Sequence, residues 1–104
     1  MSPKAGVVVI GRNEGERLRR CLASLGRSDS PVVYVDSAST DSSIQDARDQ
    51  GVHVVELDDS EPLSAARARN EGASALIDLH PGCEYVCFID GDCELASGWI
   101  DEAT

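Results

Sequence analysis

Gly6-Val7-Val8-Val9-Ile10-Gly11-Arg12-Asn13-Glu14 opens as an unbroken apolar run and ends in a polar turn. An apolar run without alternation suits a strand covered by helices on both faces. From about Glu14 to Leu25 the pattern turns helical, with Leu18, Cys21, Leu22 and Leu25 at the three–four spacing of one buried stripe. Asn13 can cap this helix and Gly26 can stop it. Outward from this unit the alternation continues. Val32-Val33-Tyr34-Val35 runs into Asp36, and Ser37-Ala38-Ser39-Thr40-Asp41 forms a turn. Thr40 or Asp41 can cap a helix reaching about Gln50, with Gly51 as its left-handed stop. Val52 to Leu57 reads as a third strand, and Asp58 to Pro62 as an acidic loop.

Ser64 to about Leu79 reads as a helix with Ala66, Arg69, Asn70, Ala73 and Ile77 along one side. His80-Pro81-Gly82 interrupts it. Tyr85-Val86-Cys87-Phe88-Ile89 then reads as a buried fourth strand ending at Asp90, and Ser97-Gly98-Trp99-Ile100 as the start of another helix. This order predicts an α/β fold, Rossmann-like, with a mostly parallel four-stranded sheet flanked by helices, as one domain over residues 1–104. Ligands of such sheets bind beyond the carboxyl ends of the strands. Arg12-Asn13-Glu14, Asp36 to Asp41 and Asp90 to Asp92 all fall there.

Composition narrows the partners. With 19 acidic against 9 basic residues the formal charge is −10, which lacks the basic footprint nucleic acid requires. Val7 to Ile10 is too short to serve as a signal core or to span a bilayer, and the expected compartment is the cytoplasm. The cysteines, Cys21, Cys83, Cys87 and Cys93, form no C-x-x-C pair and read as thiols in a reducing setting. Aromatics make up only 4% of the chain, so its core must rest on Val, Ile, Leu and Ala.

Asp90-Gly91-Asp92 is the sharpest chemical feature. Carboxylates one residue apart on a turn leaving a strand can share a hard cation, and Gly91 lets the backbone approach a ligand. Mg2+ or Mn2+ held by few protein oxygens fills its shell with substrate phosphates, and the metal would reverse the local negative charge. Asp36, at a strand end, can accept hydrogen bonds from a ribose or a base. Arg67 and Arg69 lie on different faces of one helix, and either could supply charge to a diphosphate. The Gly11–Gly15 loop lacks both the Walker and the dinucleotide glycine patterns. His53 and His80 show no partner spacing and read as structural or exposed.

Taken together, these segments resemble the N-terminal part of family 2 glycosyltransferases, which have the GT-A fold. Val8-Val9-Ile10-Gly11-Arg12-Asn13-Glu14 resembles the family's first strand and Asn-Glu loop, and Val35-Asp36-Ser37-Ala38-Ser39-Thr40-Asp41 its "VDDGSTD" signature. Ala68-Arg69-Asn70-Glu71-Gly72 is similar to the "ARNxG" helix, and Phe88-Ile89-Asp90-Gly91-Asp92 to the "FLDxD" metal motif, followed by Gly98-Trp99. The resemblance implies an inverting transfer from a nucleotide-diphosphate sugar (UDP- or GDP-linked). Arg12, Asn13, Glu14 and Asp36 would hold the nucleoside, Asp90 would sit near the ribose and metal, and Asp92 would ligate the metal. Ser37 replaces an aspartate that contacts the base in many members, and Ala38 replaces a glycine. The acceptor site and base would lie in a further half, so the expectation is a truncated form that binds nucleotide without transferring sugar and could self-associate. A sugar nucleotidyltransferase or a non-catalytic module of flavodoxin-like shape are the competing readings.

Overall fold

The computed structural model describes residues 5–25, 30–58 and 60–90. Four strands alternate with three helices: β1 Ala5–Gly11, α1 Glu16–Leu25, β2 Val32–Ser37, α2 Ser43–Asp49, β3 His53–Leu57, α3 Ala65–Leu79 and β4 Tyr85–Asp90. All described strand pairs are parallel, in the order β3-β2-β1-β4. The chain therefore steps from β1 through β2 to β3 on one side, then crosses back to place β4 on the other. A reversal of direction with the usual right-handed crossover moves the connecting helix to the opposite face. The two cores show this. Leu18, Cys21, Leu22, Leu25 and Ala47 from α1 and α2 pack with Val7, Val9 and Tyr34 on one face. Ala68 and Leu76 from α3 pack with Val8, Val33 and Val35 on the other.

Strand pleating explains how one apolar run serves two cores. Ala5, Val7 and Val9 point to α1 and α2, while Gly6, Val8 and Ile10 point to α3. The α1 stripe is the one expected from spacing. On α3 it is not. Ile77 is 51% exposed, and the buried side is Ala68, Gly72 and Leu76. Ala68 and Gly72 carry little hydropathic signal, yet their small size is what lets the helix approach the sheet. A β-carbon on Gly72 would meet a Val8 methyl and lie 2.7 Å from Val35 Cγ2.

Loop entries differ from expectation in informative ways. α1 begins at Glu16, and Asn13 does not cap it; instead Asn13 takes a left-handed φ of 52° and turns toward the loop after β2. Asp41 Oδ1 accepts from Ser43 N at 2.9 Å at the start of α2, while Thr40 N is bound by Asn13. Ser64 caps α3 by accepting from Arg67 N at 3.0 Å. Gly51 has the expected left-handed φ, 77°. β4 is an edge strand among the described residues, with Tyr85 54% and Phe88 44% exposed, so it is half-covered rather than buried. Gly26, Gly91, Asp92, Cys93 and the Ser97–Ile100 helix start lie outside the described residues.

Candidate functional site

The order reversal between β1 and β4 leaves a crevice at their carboxyl ends, the position where open α/β sheets bind ligands. A cavity of about 430 Å3 occupies it. Ile10, Gly11, Arg12 and Glu14 from the end of β1, Ser37 from β2 and Asp90 from β4 form one wall. Leu63, Ser64, Ala65 and Ala68 at the amino end of α3 form the other. The exposed amides and dipole of a helix start favour a negatively charged group.

Of the residues singled out in the sequence, Arg12, Glu14 and Asp90 line this cavity together. Arg12 is exposed and has no ion-pair partner among the described residues. Glu14 Oε2 is buried and accepts no hydrogen bond. Arg17 Nη2 lies 3.3 Å from it but off the line a hydrogen bond needs, so the contact is Coulombic only. Oε2 has almost no accessible surface, so what Glu14 offers the cavity is the exposed remainder of its side chain, 22% accessible.

Neither Asn13 nor Asp36 lines the cavity, and Asn13 is exposed in the turn between Arg12 and Glu14. Asp36 is completely buried. Its Oδ1 accepts from the Tyr34 hydroxyl and the Ser39 hydroxyl, each at 2.6 Å, and its Oδ2 from Ser39 N at 2.7 Å. Asn13 N donates to Ser39 Oγ at 2.9 Å, while Asn13 Oδ1 accepts from Thr40 N at 2.7 Å and Asp41 N at 3.2 Å. The loops after β1 and β2 are thus joined by hydrogen bonds in both directions. Hydrogen bonding from the Ser43 side chain, then from its N–H, holds the Asp41 carboxyl below its usual range.

Neither arginine of α3 reaches the cavity. Arg67 is drawn into the preceding loop, where Nη1 donates to Asp58 O at 2.9 Å and Glu61 O at 3.1 Å. Its guanidinium also lies 3.5 Å from Asp58 Oδ1, and this positions the strand-to-helix loop ahead of Leu63 and Ser64. Arg69 is exposed and outside the cavity wall. The sequence reading overlooked the α3 wall and also Tyr34. A signal for Tyr34 existed, since it stands two residues before Asp36 and the strand period puts both on one face.

Burial, and then the hydrogen bond to Asp36, push the Tyr34 phenol well above the ordinary tyrosine value of 10.0. The folded state therefore keeps this proton after the unfolded chain has lost its own. The stabilisation is whole below about pH 10 and declines as pH rises beyond it. Urea midpoints measured from about pH 8 to about pH 11 should fall more steeply in the wild type than in Tyr34→Phe. Equal slopes would assign the alkaline loss to other groups.

Residues 6–103 match the sequence profile described as Glycosyl transferase family 2. The chain belongs to that family. Among curated proteins none matches this glycosyltransferase domain significantly. Among solved structures it is similar to phosphoribosylglycinamide formyltransferase from Anaplasma phagocytophilum, at 14% identity and a TM-score of 0.51. That match covers 96% of this chain and 46% of the other, so the domain spans about half of that protein's length. At such identity the likeness concerns the fold alone: a parallel α/β sheet with its crevice at the strand ends. No helix among the described residues is long and apolar enough to cross a membrane.

Proposed function

We propose that this family 2 domain binds a nucleotide-diphosphate sugar (UDP- or GDP-linked) for inverting transfer to an acceptor. The observation that carries the reading is the convergence of Arg12, Glu14 and Asp90 on one cavity with the amino end of α3. Arg12 and the helix amides suit a diphosphate, and the Glu14 carboxylate at the cavity suits a ribose hydroxyl. Asp36 and Asn13 join the nucleoside-binding loops by hydrogen bonds, with Ser37 at the cavity where a base edge would be read. Arg67 orders the loop leading into α3, and Arg69 is left as a peripheral charge.

Among the described residues no group of three or more His, Cys, Asp and Glu side chains could hold a metal by itself. A cation bound by one or two carboxylates and completed by phosphate oxygens needs no such group. Asp90, together with Asp92, would hold Mn2+ or Mg2+, and the ion would offset the charge of the leaving diphosphate. Transfer also needs a base to take the acceptor proton.

Calorimetric titration with UDP, GDP and their sugars, with and without Mn2+, tests the reading. Binding should require the metal, and Asp92→Ala should weaken it about tenfold or more, the scale of a lost charge-assisted contact. Absent or metal-independent binding would favour a non-catalytic module.

A further inference from the structure

Among the described buried core residues Tyr34 is the one aromatic, packed with α1 and α2 residues on the face opposite α3. A phenylalanine would fill nearly the same volume without a hydroxyl to satisfy. The hydroxyl donates to Asp36 Oδ1 at 2.6 Å, with the Ser39 side chain also within its reach. From there the bonding can run in only one sense. A carboxylate only accepts, so the Tyr34 and Ser39 hydroxyls must both donate to it. The Ser39 oxygen, its proton committed, is then an acceptor, and the backbone N–H of Asn13 can only donate to it. Asn13 sits at a left-handed φ between Arg12 and Glu14, both of which line the cavity. Tyr34 also lies next to Gly11, which lines the cavity: a β-carbon there would stand 3.4 Å from the phenol oxygen.

We propose that the Tyr34 hydroxyl is a positioning group for the nucleotide pocket, acting through Asp36 and Ser39 on the backbone of Asn13. It thereby sets where Arg12 and Glu14 stand. This rests on the nucleotide-binding reading above and names a residue outside the cavity on which that binding depends. With the hydroxyl present, all the polar atoms of the chain have fixed directions. Without it, one lone pair of Asp36 opens, the Ser39 hydroxyl can turn, and the Asn13 turn loses its single orientation.

The test is UDP and GDP affinity in the presence of Mn2+, measured at a temperature where circular dichroism shows each variant folded. Tyr34→Phe should raise the Kd about five- to tenfold. The amide resonances of Ser39 and Asn13 should shift in the same variant. Ser39→Ala breaks the next link and should weaken binding similarly, Ser39→Thr should restore most of the affinity, and the double variant with Tyr34→Phe should be less than additive. A purely structural tyrosine would lower the melting temperature and leave the Kd of the folded protein unchanged. A Kd within about twofold of wild type in both Tyr34→Phe and Ser39→Ala overturns the positioning role. Absence of nucleotide binding by the wild type overturns the reading beneath it as well.

Discussion

Gly72→Val should destabilise the domain by about 3 kcal/mol, toward the upper end for overpacked cores. The β-carbon position at Gly72 overlaps a Val8 methyl and stands 2.7 Å from Val35 Cγ2. Both valines are fully buried and held in parallel pairing with neighbouring strands, and β-branched side chains have little χ1 freedom to turn aside. The helix must then move off the sheet, opening contacts at Ala68 and Leu76 as it goes. Gly72→Ala separates two effects. It brings the same overlap but gains about 1 kcal/mol of helix propensity, so its net loss should be smaller, about 1 kcal/mol. The check is the urea midpoint at unchanged slope. For a domain of this size the valine variant should melt at least about 10 °C lower. If Gly72→Ala were more stable than wild type, α3 would have room to retreat, and the tight approach would not be what holds it.

Asp36→Ala is the second large effect, expected to cost about 3 kcal/mol and to abolish nucleotide binding. Removing the carboxylate orphans the buried Tyr34 hydroxyl and the Ser39 N–H, at about 1–3 kcal/mol for each buried unsatisfied group. The Ser39 hydroxyl loses its acceptor too, which releases its hold on Asn13. Asp36→Asn should be milder, at about 1 kcal/mol, because its oxygen can face Ser39 N while the hydroxyls rotate to accept from its amide. Denaturation and nucleotide titration on the two variants give the comparison. If Asp36→Ala kept near-native stability but lost binding, Asp36 would be contacting ligand directly, not fastening the loops.

At Ala38 the fold carries a strain. A non-glycine residue is held there at a φ of 59°, immediately before the Ser39 that bonds Asp36 and Asn13. Such a backbone costs about 1–2 kcal/mol and persists where surrounding bonds over-determine it. The hydrogen bonds on both sides of the turn provide that constraint.

Much of the architecture was readable along the chain. The unbroken run Val7 to Ile10, the stripe Leu18-Cys21-Leu22-Leu25 and the stop at Gly51 required only the periods of strand and helix. They also placed Arg12, Glu14 and Asp90 at strand ends on one edge, because parallel strands put all their carboxyl ends together. The face of α3 was readable only in part. Its small residues and Gly72 announce a close approach to the sheet, as found, but the side picked out by spacing, which ends in Ile77, is not the buried one of Ala68, Gly72 and Leu76. Nor could sequence tell which polar residues meet the cavity. Asp36 and Arg67 looked as available as Arg12 and Asp90, but their nearest partners, Tyr34 with Ser39 and the Asp58–Glu61 loop, occupy them.

The edge carboxylate that opened the chemical argument, Asp90, shows the same division. Its place at the end of a strand and in the family motif follows from sequence, as does membership in glycosyl transferase family 2. That it shares a cavity with Glu14 and the start of α3 was decided by the crossover that puts β4 beside β1. Local periodicity is written in neighbouring residues and survives in one dimension. Which side chains are left with open lone pairs depends on residues tens of positions apart, such as Asn13 and Ser39, and exists only once the sheet has closed the distance between them.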